Sequence, residues 1–202
     1  MSRSDPASTP VQPVEVRLWD PLLRGFHWCL ATLVVTNLFL GHFGPAVMTL
    51  HFWVGYGIIA LLAFRLVWGF VGPAEARFSN FLRGPGAVTR YASHMFRREP
   101  SYWPGHNPMG ALSVIAMLAL LAAQVSTGLI SDPEDYINVG PLAGEVASAT
   151  SRKAVGWHHL GGTLILILVI LHIGIVLFYR FWKREDLIMP MITGRKDVIR
   201  RG

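Results

Sequence analysis

The stretch WHHLGGTLILILVILH, residues 157–172, decides the fold and indicates where the chemistry lies. It belongs to an apolar segment long enough to cross a bilayer, whose hydrocarbon layer of about 30 Å needs a helix of about 20 residues. His158 and His172 are fourteen residues apart, which places both imidazoles on nearly the same helix face, about 21 Å apart along the axis. His159 would point about 140° away from His172. Two imidazoles on one face of a membrane helix predict two stacked haem sites.

The rest of the chain has the composition of a membrane protein. It has 202 residues, of which 52% are hydrophobic and only 15% are charged, too apolar for an ordinary soluble domain. Apolar segments of spanning length occur at about 21–43, 47–71, 109–130 and 155–182. We therefore predict an all-α integral membrane four-helix bundle over residues 21–196, with a disordered cytoplasmic tail at 1–20 and a basic tail at 197–202.

The net charge of +6 follows the sides of the membrane and does not indicate nucleic-acid binding. Basic residues precede the first span, fill the loop between the second and third spans, and follow the fourth, whereas the opposite side keeps only Arg152 and Lys153. The positive-inside rule then predicts that both termini are cytoplasmic. The single cysteine, Cys29, has no CxxC or CxxCH companion, so nothing supports a disulfide, an iron–sulfur cluster or covalently attached haem.

Histidines in the other spans supply partners at matching depth. A histidine inside hydrocarbon is a functional candidate because burying an ionisable group there is costly. His27 lies near the cytoplasmic end of span one, at the level of His172, and His51 lies near the outer end of span two, at the level of His158. Each level has two imidazoles from different helices, as bis-histidine ligation of a b-type haem requires. His42, at the outer end of span one, competes with His51 as the outer ligand.

Two arginines are placed to serve the inner level. Arg65 follows His51 by fourteen residues, which puts it on nearly the same face one level deeper, and Arg24 lies one turn before His27. Both are predicted to pair with haem propionates. The alternative for Arg65 is a side chain that snorkels to the cytoplasmic interface. A four-histidine zinc or copper site fits less well, because its ligands would have to converge within about 2 Å of one ion.

The remaining signals leave alternatives open. Small residues one turn from the outer ligands either leave room for a flat macrocycle or serve close helix packing: Gly55, Gly161 and Gly162. His106, in the sequence GHNP, is expected to cap or tether its loop. Residues 88–98 form either an interfacial helix or a solvated loop. The acidic outer loop, residues 131–153, is either a cover or docking surface or a plain solvated connection.

These residues resemble the bacterial cytochrome b561 and Ni/Fe-hydrogenase b-type cytochrome family, over about residues 16–196. The resemblance rests on RLWDPLLRGFHW around His27, LHFWVGYGIIALLAFRLVWG from His51 through Arg65, GHNPMGA before span three, TGL at its end, and WHHLGGTLILILVILH with FWKREDLIMPMITGRK in and after span four. It implies a dihaem, quinone-linked cytochrome of the bacterial inner membrane, with two haem b groups ligated at His27, His51, His158 and His172.

The resemblance also implies a function, which is electron transfer between a periplasmic redox partner and the quinone pool. The partner would be a hydrogenase-like enzyme or a c-type cytochrome, and the WDPLLRGFHW and GHNP motifs favour this partner-linked branch. One alternative is a free-standing superoxide:ubiquinone oxidoreductase, but the span-three histidines associated with that type are missing. Another is a non-redox membrane anchor or transporter subunit, although no broken helix or acidic membrane residue marks a substrate path.

Overall fold

The computed structural model describes residues 14–99, 103 and 105–198. Four helices are long and apolar enough to cross a membrane: α1 (Pro21–Phe43), α2 (Thr49–Val71), α5 (Pro108–Ile130) and α6 (Ser148–Phe181). The shorter elements are β1 (Val14–Arg17), α3 (Phe78–Phe81), α4 (Pro85–Ala92), a 3-10 turn (Ala143–Glu145), α7 (Ile188–Thr193) and β2 (Arg195–Val198). The predicted helical membrane bundle is confirmed.

Two of the spans begin at caps that the sequence encodes. Asp20 Oδ1 accepts hydrogen bonds from the main-chain N–H groups of Leu22 and Leu23, both at 3.0 Å, and a proline follows the cap. Asn107 Oδ1 accepts from the N–H of Gly110 at 2.8 Å, again with a proline next. Each cap satisfies donors that the first helical turn leaves unpaired. In GHNP it is therefore the asparagine that caps α5.

The bundle core is built from all four spans. α1 packs on α2 and α5 packs on α6, and α2 also contacts α5. A buried cluster takes one side chain from each span: Val34, Ile58, Leu121 and Ile165. Much of the remaining apolar surface faces outward, as in the case of Trp53, which is 67% exposed. An apolar exterior of this kind is what lipid-facing helices present.

The two ends of the described chain meet at one end of the bundle, here named the terminal end; the opposite end is named the far end. β1 and β2 pair in antiparallel fashion, with Val16 opposite Lys196. Before β2 the chain turns at Gly194, whose φ of 82° favours glycine. The Gly194 carbonyl accepts from the N–H groups of Leu18 and Trp19 at 2.8 and 3.2 Å. The segment after α6 is thus tied to the segment before α1.

The structure corrects several predicted boundaries. Residues 14–17 form a strand, so the predicted disordered tail at 1–20 is ordered from residue 14, and residues 1–13 lie outside the described residues. Residues 197 and 198 belong to β2 rather than to a tail, and residues 199–202 again lie outside the described part. Helix α6 begins at Ser148 instead of 155, because its polar first turns are docked on α5 by Ser151, whose hydroxyl donates to the Ile130 carbonyl at 2.7 Å.

The loop between α2 and α5 combines its two predicted forms. Residues 85–92 are helical as α4, and residues 93–99 form turns and bends. α4 packs against α5. Its residue Tyr91 reaches the bundle, because the Tyr91 hydroxyl lies 2.7 Å from the hydroxyl of Tyr179 on α6.

Candidate functional site

The structure brings His27 of α1 and His172 of α6 together at the terminal end. Their ring centres are 6.4 Å apart and the ring planes are inclined by 50°. Both side chains are half-buried. We name them the terminal-end pair. The two rings lie close together because α1 and α6 run in opposite directions. α1 begins at the terminal end, close to His27, and α6 ends there, after His172.

His51 of α2 and His158 of α6 meet in the same way at the far end, and we name them the far-end pair. Their ring centres are 5.9 Å apart and their planes are inclined by 80°. His42, the competitor of His51, is exposed, and its ring Nδ1 lies 2.8 Å from the Leu38 carbonyl oxygen. The structure therefore gives His51, and not His42, the position opposite His158.

The separation within each pair suits one metal ion between the rings. A metal–imidazole bond is about 2 Å long, and a ring nitrogen lies roughly 1 Å from the ring centre. Two imidazoles on opposite sides of one iron then have centres about 6 Å apart. Both observed separations match this value. In addition, the buried Nδ1 atoms of His27 and His51 have no hydrogen-bond partner of close geometry, so no such bond fixes either ring in an orientation that excludes a metal.

Helix α5 sets the orientation of His158 although it supplies no histidine. The His158 Nδ1 donates to the main-chain oxygen of Gln124 at 3.0 Å, and the Gln124 amide donates to the His158 carbonyl, also at 3.0 Å. A ring held through Nδ1 carries its lone pair on Nε2, where metals bind. The Gln124 amide nitrogen lies 3.3 Å from that atom, and the Thr127 hydroxyl lies 3.4 Å from Nδ1. Neither Gln124 nor Thr127 was predicted from the sequence to take part in the site.

Glycines make this contact between α5 and α6 possible. A Cβ on Gly128 would lie 2.9 Å from His158 Cε1, and a Cβ on Gly161 would overlap the Gln124 side-chain oxygen. Gly162 also faces Gln124. The expectation that Gly161 and Gly162 leave room for a macrocycle is therefore corrected, because the Gln124 side chain occupies the space. The motif TGL contains the relevant signal, since its glycine lies against the imidazole.

The other side of the far-end pair is lined by α1. A Cβ on Gly41 would lie 3.6 Å from His51 Cε1. Asn37, one turn earlier on α1, approaches Gly55, where a Cβ would lie 3.9 Å from its amide nitrogen. The Asn37 side-chain oxygen is buried without a partner. Gly55 thus faces a polar side chain of α1, and α1 contributes small and polar groups beside His51.

Arg65 is buried near the terminal end, and it does not snorkel to solvent. It is 3% exposed, its NH2 group donates to the Ala76 carbonyl at 3.0 Å, and its guanidinium lies 4.5 Å from the Phe78 ring centre. α3 therefore covers it. Its NH1 group is buried without a partner. Arg24 resembles it, because its NH1 group donates to the Ile192 carbonyl while its Nε is buried and unpartnered.

His106 is a buried residue of the terminal end whose position the sequence analysis did not anticipate. Its ring packs on Trp19 and Phe81, with ring centres 4.7 and 5.1 Å apart. Burial, together with the smaller effects of the charges of Arg65, Lys196, His27 and His172, lowers the pKa of His106 to about 4. Its Nδ1 has no partner. The signal was its place in GHNP, just before α5 on the side of His27 and His172.

Four apolar helices with a facing histidine pair at each end define a class of membrane protein, a helical bundle with paired imidazoles between its spans. A family model described as prokaryotic cytochrome b561 matches residues 18–194, and the chain belongs to this family. The predicted resemblance is confirmed. The protein is accordingly a multi-pass membrane cytochrome of the b type, with haem b as its cofactor and electron transport as its role.

Curated relatives extend the comparison over nearly the whole chain. A probable Ni/Fe-hydrogenase B-type cytochrome subunit of Rhizobium leguminosarum bv. viciae is 26% identical, covering 92% of this chain and 90% of the relative. Proteins with the same description from Azotobacter vinelandii and Rhodobacter capsulatus are 26% and 25% identical, covering 89% and 90% of this chain and 87% and 81% of their own lengths. No solved structure matches the chain.

Proposed function

We propose that this cytochrome carries electrons across the bacterial inner membrane, from a redox enzyme on the periplasmic side to the quinone pool, through two haem b groups. The observation that carries the proposal is the presence of two facing histidine pairs on one bundle, each with the separation that an iron between two imidazoles requires. The two ligands on α6 are about 21 Å apart along the helix, a distance that spans much of the hydrocarbon layer.

Each pair is assigned to one haem. His27 and His172 would hold the terminal-end haem, and His51 and His158 would hold the far-end haem. When bound, haem b would supply a one-electron carrier, and ligation by two histidines would favour electron transfer over oxygen chemistry. Arg24 and Arg65 would donate to propionates of the terminal-end haem, since each keeps one buried N–H group without a partner.

The orientation in the membrane follows from charge. Arginines and lysines concentrate on the side of both termini, so the terminal end is assigned to the cytoplasm and the far end to the periplasm. Lipid surrounds the apolar exterior. The quinone is the proposed electron acceptor, and we assign no residue to its binding.

The far end offers the surface for the periplasmic partner. Its long loop is tied to the turn between α1 and α2 by Asn138, whose amide donates to the Ala46 carbonyl and whose side-chain oxygen accepts from the Met48 N–H, both at 2.9 Å. Tyr136 and Ile137 beside this tether are 96% and 64% exposed. The curated relatives carry the name of hydrogenase cytochrome subunits, so a hydrogenase-like enzyme is the proposed partner, with a c-type cytochrome as the other candidate.

The decisive experiment combines cofactor content with partner recovery. The full chain is expressed in bacterial membranes, purified in mild detergent and analysed for haem b per chain and for co-purifying proteins. We expect two haems per chain and a hydrogenase-like or c-type redox protein that reduces them, followed by oxidation on addition of a quinone. A preparation without haem would refute the proposal. Rapid haem reduction by superoxide without any partner would replace it with a superoxide:quinone oxidoreductase.

A further inference from the structure

Buried charge is distributed unequally between the two ends of the bundle. Among the described residues, the charged side chains classed as buried are Arg65, Lys183, Glu185 and Lys196, which are 3, 4, 6 and 8% exposed. All four lie at the terminal end, and three are positive. The other buried polar side chain is Ser151, which is uncharged and lies at the far end. Charges at the far end, such as Arg152 and Glu134, have half or more of their side-chain surface exposed, so water screens them.

Arg65 is one of two cations of this set, with Lys183, for which the described residues provide no ion pair. Lys196 forms a 2.9 Å ion pair with Glu185, and Lys183 donates to main-chain oxygens of the loop before α5. Asp20 is the nearby acid, but its two oxygens are engaged by the cap of α1 and by the Trp68 indole N–H at 3.4 Å. The Arg65 guanidinium instead meets a carbonyl oxygen and aromatic rings.

The unpartnered buried atoms of the two ends also differ in kind. At the terminal end they include two guanidinium nitrogens, Arg24 Nε and Arg65 NH1, and the ring nitrogens His27 Nδ1 and His106 Nδ1. At the far end they include the ring nitrogen His51 Nδ1 and the carbonyl oxygens of Asn37 and Gln124, which only accept. The terminal end thus holds unpartnered N–H groups of cations, which can stabilise negative charge.

We propose that Arg24 and Arg65 give the terminal-end histidine pair the higher reduction potential, so that electrons move from the far end to the terminal end. The inference rests on the proposed function, because it requires a haem at each pair. Reduction of a ferric haem removes one positive charge from the site, and a buried cation favours the reduced form in a low-dielectric interior. Buried guanidinium nitrogens without a partner lie at the terminal end, where they would face the propionates of that haem.

The test is a potentiometric titration of the purified two-haem protein, followed by absorbance and electron paramagnetic resonance. The wild type should titrate in two one-electron steps. Arg65→Gln should lower the higher-potential step by at least tenfold in the redox equilibrium, about 59 mV for a one-electron couple, and leave the lower step in place. Arg24→Gln, which removes the second cation, should shift the same step in the same direction by a smaller factor. The matched control is Arg90→Gln, an exposed cation at the same end, which should shift neither step.

Each possible result of the titration either supports or overturns the proposed order of the two reduction potentials. If Arg65→Gln loses one haem, the remaining step must lie at the lower wild-type potential, and a remaining step at the higher potential overturns the inference. If that variant binds no haem at all, the shift in Arg24→Gln decides. A shift of the lower step, or of neither step, also overturns it. A wild type without haem refutes the proposed function itself, whereas two haems with the reverse order refute only this inference.

Discussion

His158 Nδ1 lies 3.0 Å from the main-chain oxygen of Gln124, and the Gln124 side chain returns a 3.0 Å hydrogen bond to the His158 carbonyl. An imidazole on α6 is thereby oriented by α5, a span that contributes no histidine. Groups that hold a metal-binding histidine through its other ring nitrogen commonly contribute to metal affinity and activity. The far-end pair thus depends on three helices, because the main chain of Gln124 holds the ring and its amide holds the His158 carbonyl.

Gln124→Leu should weaken haem binding at the far end by roughly fivefold, the effect of losing one hydrogen bond of about 1 kcal/mol, because the amide no longer donates to the His158 carbonyl. The main-chain bond to Nδ1 survives this change, so haem binding weakens without being lost. The measurement is titration of the haem-depleted protein with haem. The matched control is Ser126→Ala, which removes an exposed hydroxyl of α5 that bonds only within its own helix. Equal affinity of Gln124→Leu and wild type would exclude a role for the amide.

Gly128→Ala should release the far-end haem and keep the terminal-end haem. Its new Cβ would lie 2.9 Å from His158 Cε1, so the imidazole has to move away from His51. Gly156→Ala makes the same change two residues before His158, where nothing lies within 4 Å of a Cβ, and should retain both haems. Haem per chain, measured as the pyridine haemochrome, distinguishes the two variants. Two retained haems in Gly128→Ala would mean that His158 is not the ligand.

Single histidine substitutions should each remove one haem. His27→Ala and His172→Ala should abolish the terminal-end signal in electron paramagnetic resonance, and His51→Ala and His158→Ala the far-end signal, because each removes one of two axial ligands. The control is His42→Ala, whose imidazole is exposed and bonds to its own helix. The His42→Ala variant should keep both signals unchanged. Loss of the far-end signal in this variant would mean that His51 is not the far-end ligand opposite His158.

His106 should make the stability of the terminal end depend on pH. Because its pKa in the folded protein is about 4, below the unfolded value of about 6.5, the unfolded chain takes up the proton first as the pH falls. The stabilisation that the neutral, buried ring provides is therefore fully present above pH 6.5. It is lost as the pH falls towards 4, and the free energy of unfolding decreases by about 3 kcal/mol over this range. Thermal unfolding in detergent at several pH values should show a shallower slope for His106→Gln.

The control for that experiment is His94→Gln, which removes an exposed imidazole at the C-terminal end of α4. Its pH slope should equal that of the wild type. If the unfolding temperature of His106→Gln depends on pH as steeply as that of the wild type, the His106 ring takes up protons in the folded state as easily as in the unfolded chain.

The spans could be predicted because hydropathy and length decide them almost alone. Their predicted bounds agree with the structure to within two residues, except at the start of α6. There the first turns are polar and become helical through docking, with the Ser151 hydroxyl on the Ile130 carbonyl. A contact between distant residues leaves no trace in a local pattern. The same holds for β1 and β2, which are four residues each and lie at opposite ends of the described chain.

The pairing of the histidines could be predicted because depth in a membrane follows from position along a span. The surroundings of each pair could not, because they depend on which side chains the packed helices bring together. Gln124 resembles any polar residue of a span until α6 places Gly161 against it. His106 resembles a loop residue until Trp19 and Phe81 cover it.

The pairing of β1 with β2 imposes an order on biogenesis. β1 lies before the first span, yet its hydrogen-bonding partner starts at Arg195, so the strand waits, unpaired, while all four spans are synthesised and inserted. Until the chain has reached Gly194, its carbonyl cannot accept hydrogen bonds from Leu18 and Trp19. The four spans are therefore made before the contact that joins the two ends of the described chain can form.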